Sequence, residues 1–227
     1  MAINFKINPS ILKSVPLFAA FTELQITTLL NYVQHRSYAR SVYVMQAGDE
    51  TDSIYVVLAG KVKVVITDDQ GREVILGFVG PQEYFGEMGI LDDQPRSASV
   101  YTLEPCEMLR LSKAAFMTCL KENSEVAMLV IRNLVKRLRA ADRKIESLAL
   151  VDVSGRVARL LIDMAQEVDG RLVVVRAPAK QEIARMIGAS REMVSRVVKE
   201  LEVRGLIRTE RRGIVIVDRD MSRSLKL

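Results

Sequence analysis

The stretch FGEMGILDDQPRSASV, residues 85–100, decides how the chain is read. Short apolar segments flank it on both sides, which places it between strands. Gly86 lets a backbone approach a ligand closely. Glu87 is an acceptor suited to a sugar hydroxyl. Nine residues later Arg96 offers a forked cation for a phosphate oxygen, and Ser97 and Ala98 offer backbone N–H groups. A carboxylate for a ribose and an arginine for a phosphate, held by one loop, make a nucleotide pocket. On chemistry alone the alternative is a Glu87–Arg96 ion pair across the loop, worth little.

Composition bounds the rest. A chain of 227 residues has room for two small domains, and a 49% hydrophobic share excludes wholesale disorder. No apolar run reaches bilayer length, and MAINFKINPS lacks the basic and apolar blocks of a signal peptide, so a cytoplasmic protein with no membrane attachment is expected. Cys106, Cys119 and His35 are too few for a zinc site or a four-cysteine cluster, so no metal is expected. The cysteines read as buried apolar residues and His35 as a surface residue. With no poised histidine pair, nucleophile motif or Walker loop, the chain does not read as an enzyme. Residues 1–150 carry 17 Lys/Arg against 17 Asp/Glu, and residues 151–227 carry 16 against 11. The whole net charge of +5 therefore sits in the last third, which favours nucleic acid.

Residues 9–35 read as short helices, the second from Glu23 to Val33. From Val42 to Leu111 the apolar period drops to two, with turn signals at AGDE, Gly60, DDQG and GPQE, as in a small antiparallel β-roll or barrel. Ser112 is placed to cap a helix through Lys121. A long helix follows, Ser124 to Leu150, with Ala127, Ile131, Leu134, Leu138, Ala141, Ile145 and Leu148 at heptad spacing. Packing on its own domain is one use of that seam; its regularity favours a parallel homodimer. Asp152 or Ser154 then caps a helix to Val168, Asp169-Gly170 makes a turn, and RLVVVRA is a strand.

Glu182–Ile187 and Arg191–Leu201 are amphipathic helices joined by Gly188-Ala189-Ser190, which reads as helix-turn-helix or, less specifically, as an αα-hairpin. The second helix leaves Arg191, Glu192, Ser195 and Arg196 on one face near its start. Arginine pairs with guanine O6/N7, and glutamate accepts from cytosine N4. Lys180, Gln181 and Ser190 join them as candidate DNA contacts. LIRTERRGIVIVD makes a hairpin with Arg211 and Arg212 at its tip, a wing for phosphates.

Phe85, Gly86, Glu87, Pro95, Arg96, Ser97 and Ala98 resemble the phosphate-binding cassette of cyclic-nucleotide-binding domains, F-G-E … P-R-[STA]-A. Arg191 to Arg196 resembles the recognition motif R-E-x-x-[GS]-R. Together they make nearly the whole chain similar to the CRP/FNR family of bacterial transcription regulators. The resemblance implies an α+β fold: an N-terminal antiparallel β-roll (1–123), a long dimerisation helix (124–150) and a C-terminal winged helix-turn-helix (151–227). It implies that Glu87 holds a ribose 2′-hydroxyl and Arg96 a cyclic phosphate. It also implies that Arg191, Glu192 and Arg196 read a pseudo-palindromic double-stranded DNA as a homodimer. RNA polymerase is an implied partner, although AQEVDGRLVVVRA is shorter than the loop that touches it in cyclic-AMP receptor proteins. Ser195 replaces a glycine of the cyclic-AMP branch, as in the FNR branch.

The resemblance implies cyclic AMP as effector, but one departure bears on the base. Where cyclic-AMP receptor proteins carry a Thr-Ser pair for adenine, this chain has Ala141 and Asp142. An ionised aspartate only accepts, and guanine presents two donors, N1–H and N2–H₂. Cyclic GMP and cyclic di-GMP therefore stand beside cyclic AMP, and Arg137 and Arg139 are the further candidate ligands for cyclic di-GMP. Asp142 paired with Arg139 or Arg143 in solvent is the alternative. A regulator of the same family that binds DNA without a nucleotide signal is the second functional reading.

Overall fold

The computed structural model describes residues 8–210 and 213–218. The chain forms two compact units that part at Lys136/Arg137, inside the long helix; the expected boundaries, after 123 and after 150, fall at the two ends of that helix.

In the first unit Asn8 caps α1 (Pro9–Ser14), a 3-10 turn spans Pro16–Phe18, and a Thr22/Gln25 capping box starts α2 (Glu23–Leu30). This helix is shorter than the apolar spacing suggested. Val33 begins a strand, β1 (Val33–Tyr38), because the backbone there pairs antiparallel with residues 106–111. His35 lies on β1, half-buried, with Nε2 2.7 Å from Glu107 Oε2; the surface assignment is corrected by that cross-strand partner.

The strands that follow are β2 (Tyr43–Met45), β3 (Ser53–Ala59), β4 (Val62–Thr67), β5 (Glu73–Val79) and β6 (Tyr84–Phe85). A single turn of helix, α3 (Met88–Leu91), precedes β7 (Ser99–Thr102) and β8 (Cys106–Ser112). They form two four-stranded antiparallel sheets, ordered β1-β8-β3-β6 and β2-β7-β4-β5. The strand β3 shows why: its side chains alternate between two cores. Tyr55 and Val57 join Val62, Val79, Phe85, Val100 and Met108 from both sheets. Ile54 and Val56 face the other way, into a core with Phe18, Phe116 and Val126 from the helices. Cys106 and Cys119 are buried, one in each core, as expected. Ser112 caps α4 (Lys113–Glu122) by accepting from the Ala115 N–H, and α5 (Ser124–Leu150) begins on the first unit's core through Val126 and Val130.

In the second unit Asp152 caps α6 (Val153–Met164) by accepting from the Gly155 N–H at 2.7 Å. The expected extension of this helix to Val168 does not occur. Residues Gln166–Val168 are a strand, β9, paired with β10 (Arg171–Val175) across a two-residue turn. Asp169 and Gly170 both have positive φ there, the geometry that closes a tight hairpin. Then come α7 (Lys180–Ile187), α8 (Arg191–Val203), β11 (Ile207–Glu210) and β12 (Gly213–Ile216), with the sheet ordered β11-β12-β10-β9. Ile183, Ala184, Val194, Val197, Val198 and Leu201 pack with Val157 and Leu161 in one core.

Phe116 is fully buried, and Ser112 only caps its helix. Phe116→Ala is expected to cost about 3–5 kcal/mol and Ser112→Ala about 1 kcal/mol. Urea denaturation of the two variants checks this ranking.

Candidate functional site

The cassette is built where β6 ends and β7 begins. Tyr55 on β3 stacks on Phe85, with centroids 5.3 Å apart, and fixes the last residue before the loop. Gly86 then turns with φ +87°, a region that side chains rarely adopt. A Cβ at Gly86 would lie 2.7 Å from Arg96 Nη1 and 3.3 Å from the Ser53 carbonyl oxygen. The guanidinium therefore occupies the space that only glycine leaves.

Glu87 and Arg96 are both buried, at 1% and 5% exposure. Arg96 Nη1 donates to the Gly86 carbonyl at 2.7 Å, and Nη2 donates to the Ser53 carbonyl at 2.6 Å. Nη2 also lies 3.5 Å from Asp52 Oδ1. Burial pushes the Arg96 pKa down, against the pull of Tyr55, Asp52 and Asp49. Ser97 is exposed and Ala98 buried, and neither amide donates to a backbone carbonyl among the described residues. A buried forked cation and two such amides suit an anionic oxygen.

Sequence reading missed Asp52, Arg110 and Tyr55. Asp52 lies 44 positions before Arg96 and 58 before Arg110, and only the pairing of β3 with β8 gathers them. Asp52 Oδ1 accepts from the Ser53 hydroxyl at 2.6 Å, and Oδ2 accepts from Arg110 Nη2. Partial burial pushes the Asp52 carboxyl up, but Ser53, Arg110 and Arg96 outweigh it and hold the carboxyl below the usual carboxylate range. Tyr38 is pushed up to about 12, first by burial and then by Tyr55.

On α5 the exposed apolar stripe is Met128, Ile131, Val135, Leu138 and Ile145, with Leu138 and Ile145 62% and 65% exposed. It shares Ile131, Leu138 and Ile145 with the expected seam, whose Leu148 is exposed as well, while Leu134 of that seam packs partly against the first unit's core. Asp142, four residues after Leu138 and three before Ile145, falls in line with this stripe and is exposed. Among the described residues it makes no ion pair with Arg139 or Arg143. Ala141 is exposed as well, while Arg137 is half-buried. Five residues at about 100° each put Arg137 and Asp142 roughly 140° apart around the helix, so one helix does not present both to one ligand.

In the second unit Gly188 takes the left-handed turn position, φ +65°, and Ser190 caps α8 by accepting from the Met193 N–H. Arg191, Glu192 and Arg196 are exposed near the start of α8, as are Lys180 and Gln181 on α7. Ser195 is half-buried and accepts from Lys180 Nζ at 3.2 Å, so the two candidates hold one another. A cavity of about 640 Å³ at the root of the wing is lined by Arg176, Lys180, Thr209 and Glu210. Arg211 and Arg212 lie outside the described residues.

Comparison with known proteins finds relatives of both domains. Residues 35–123 match the family model of the cyclic nucleotide-binding domain, and residues 155–221 match that of the Crp-like helix-turn-helix domain. The cAMP-activated global transcriptional regulator Vfr of Pseudomonas aeruginosa is 35% identical over 198 residues, 83% of this chain and 91% of that one. The CRP-like cAMP-activated global transcriptional regulator of Mycobacterium tuberculosis is 31% identical over 212 residues, 92% and 95% of the two chains. The solved structure of CLP from Xanthomonas campestris, a c-di-GMP responsive global regulator, superposes with a TM-score of 0.73. It is 29% identical, covering 87% of this chain and 100% of that one. The chain belongs to the CRP/FNR family of homodimeric, DNA-binding transcription regulators, which are not enzymes.

Proposed function

We propose that this regulator is gated by a cyclic nucleotide whose phosphate is taken by Arg96 and whose ribose is taken by Glu87. The observation that carries this reading is the buried Arg96 fork seated in the space left by Gly86, beside the Ser97 and Ala98 amides. The assignment divides the chain into a nucleotide-binding domain (1–123), a dimerisation helix (124–150) and a DNA-binding domain (151–227). The exposed apolar stripe on α5 is what a second copy would cover.

The effector in this reading bears guanine, as cyclic GMP or cyclic di-GMP. Asp142 supplies two acceptors and no donor, and it has no ion-pair partner on its own helix among the described residues. The roughly 140° between Arg137 and Asp142 makes any joint use of them a matter of two subunits. Cyclic AMP is the second reading, supported by the likeness to Vfr and to the Mycobacterium tuberculosis protein. In the DNA-binding domain Arg191, Glu192 and Arg196 read bases. Lys180, Gln181, Ser190, Ser195, Arg211 and Arg212 are assigned to positioning on the DNA, in keeping with the basic excess of residues 151–227. A pseudo-palindromic operator follows from two-fold symmetry, and RNA polymerase is the partner that the family suggests.

Calorimetric titration with cyclic AMP, cyclic GMP and cyclic di-GMP tests the effector. A guanine nucleotide is expected to bind most tightly, and Arg96→Ala is expected to weaken it at least about 100-fold, the loss of a charge-assisted phosphate contact. Gly86→Ala displaces the guanidinium and is expected to lose at least about tenfold in the same titration. Equal binding by wild type and Arg96→Ala removes the phosphate role. For the DNA domain, Arg196→Ala is expected to cost about 1–3 kcal/mol on the operator and to relax base preference at one position per half-site, read by competition binding.

A further inference from the structure

We propose that Asp52 regulates the cassette as its resident counter-anion, holding Arg96 until a phosphate arrives and passing wholly to Arg110 when one does. This rests on the reading of Arg96 as the phosphate ligand and adds what governs that site. A buried guanidinium needs an anion, since desolvation of an unmatched cation is costly. Arg96 Nη2 lies 3.5 Å from Asp52 Oδ1, longer than a strong charge-assisted contact. The two short bonds of Arg96 go to carbonyl oxygens, of Gly86 and Ser53, which carry no net charge.

Asp52 is meanwhile shared. Its other oxygen accepts from Arg110, a residue of β8 that sits opposite Tyr55 in the β3–β8 register. The Asp52 side chain is 57% exposed, so it is free to turn fully to Arg110 without unpacking a core. A phosphate oxygen at ordinary contact distance is a better partner for Arg96 than a carboxylate at 3.5 Å. Asp52 thus binds the empty cassette better than the filled one, and any group that does so lowers the affinity for the ligand. Arg110 opposes this by drawing the carboxylate away. Asp52 and Arg110 are positioning residues, and they should act on affinity with opposite signs.

The test has two arms. In calorimetric titrations with cyclic AMP, cyclic GMP and cyclic di-GMP, Asp52→Asn is expected to bind about three- to tenfold more tightly than wild type, and Arg110→Gln about three- to tenfold more weakly. In the Asp52→Asn/Arg110→Gln protein the Arg110→Gln loss should vanish, because no carboxylate remains to be drawn away. A merely structural role would weaken binding in both single variants. Weaker or unchanged binding by Asp52→Asn, or an undiminished Arg110→Gln loss in the double variant, overturns the proposal.

The second arm uses the ligand-free protein. Thermal melting of Asp52→Asn, Arg96→Gln and the double variant is expected to be non-additive, with Arg96→Gln costing less once Asp52 is neutral. Additive shifts overturn the pair whatever the nucleotides do. If wild type binds none of the three nucleotides, the cassette reading falls, while the melting cycle still decides whether Asp52 holds Arg96.

Discussion

A guanidinium held away from water is the constraint on which the cassette depends. Arg96 is nearly sealed, so its five donors need partners supplied by the fold. The Ser53 carbonyl reaches it because β3 is a central strand, paired with β8 on one side and β6 on the other. The Gly86 carbonyl reaches it because β6 stops at Phe85 and the chain turns with positive φ. Phe85 is held in turn by Tyr55, which belongs to the core between the two sheets. The packing of the roll and the chemistry of the loop are therefore one problem: a shift of β6 against β3 moves the cation.

Much of this was legible in the sequence, for local reasons. The strands announced themselves by alternation and turn residues, and Ser112, Asp152 and Gly188 took the cap and turn positions that their chemistry suggests. What escaped was non-local. Residues 33–38 have too little alternation to stand out, and they become a strand only because β8 offers an edge to pair with. Gln166–Val168 continues the apolar spacing of the preceding helix, but Asp169-Gly170 is a strong hairpin signal, and counting back from that turn reveals the strand. Asp52 and Arg110 carried no motif at all. An acidic residue after a turn and an arginine on a strand are ordinary until the β3–β8 register sets them beside Arg96.

The long helix carries the expected heptad seam and a second stripe beside it. Heptad spacing fits two adjacent stripes of α5. Both share the exposed Ile131, Leu138 and Ile145; the first adds Leu134, partly covered by the first unit's core, and exposed Leu148, and the second adds exposed Met128 and Val135. Asp142 lies between Leu138 and Ile145 on the second stripe, where a carboxylate is costly to cover unless something donates to it. That is a physical reason to treat Asp142 as more than solvated surface.

The central claim is that nucleotide binding and DNA binding are coupled. The most direct measurement is fluorescence anisotropy of a labelled palindromic operator, at fixed salt, with and without a saturating cyclic nucleotide. Operator affinity is expected to change at least about tenfold with one nucleotide, the coupling that differential binding to two states requires, and not to change in Arg96→Ala. Operator affinity that stays the same with cyclic AMP, cyclic GMP and cyclic di-GMP alike would contradict this coupling.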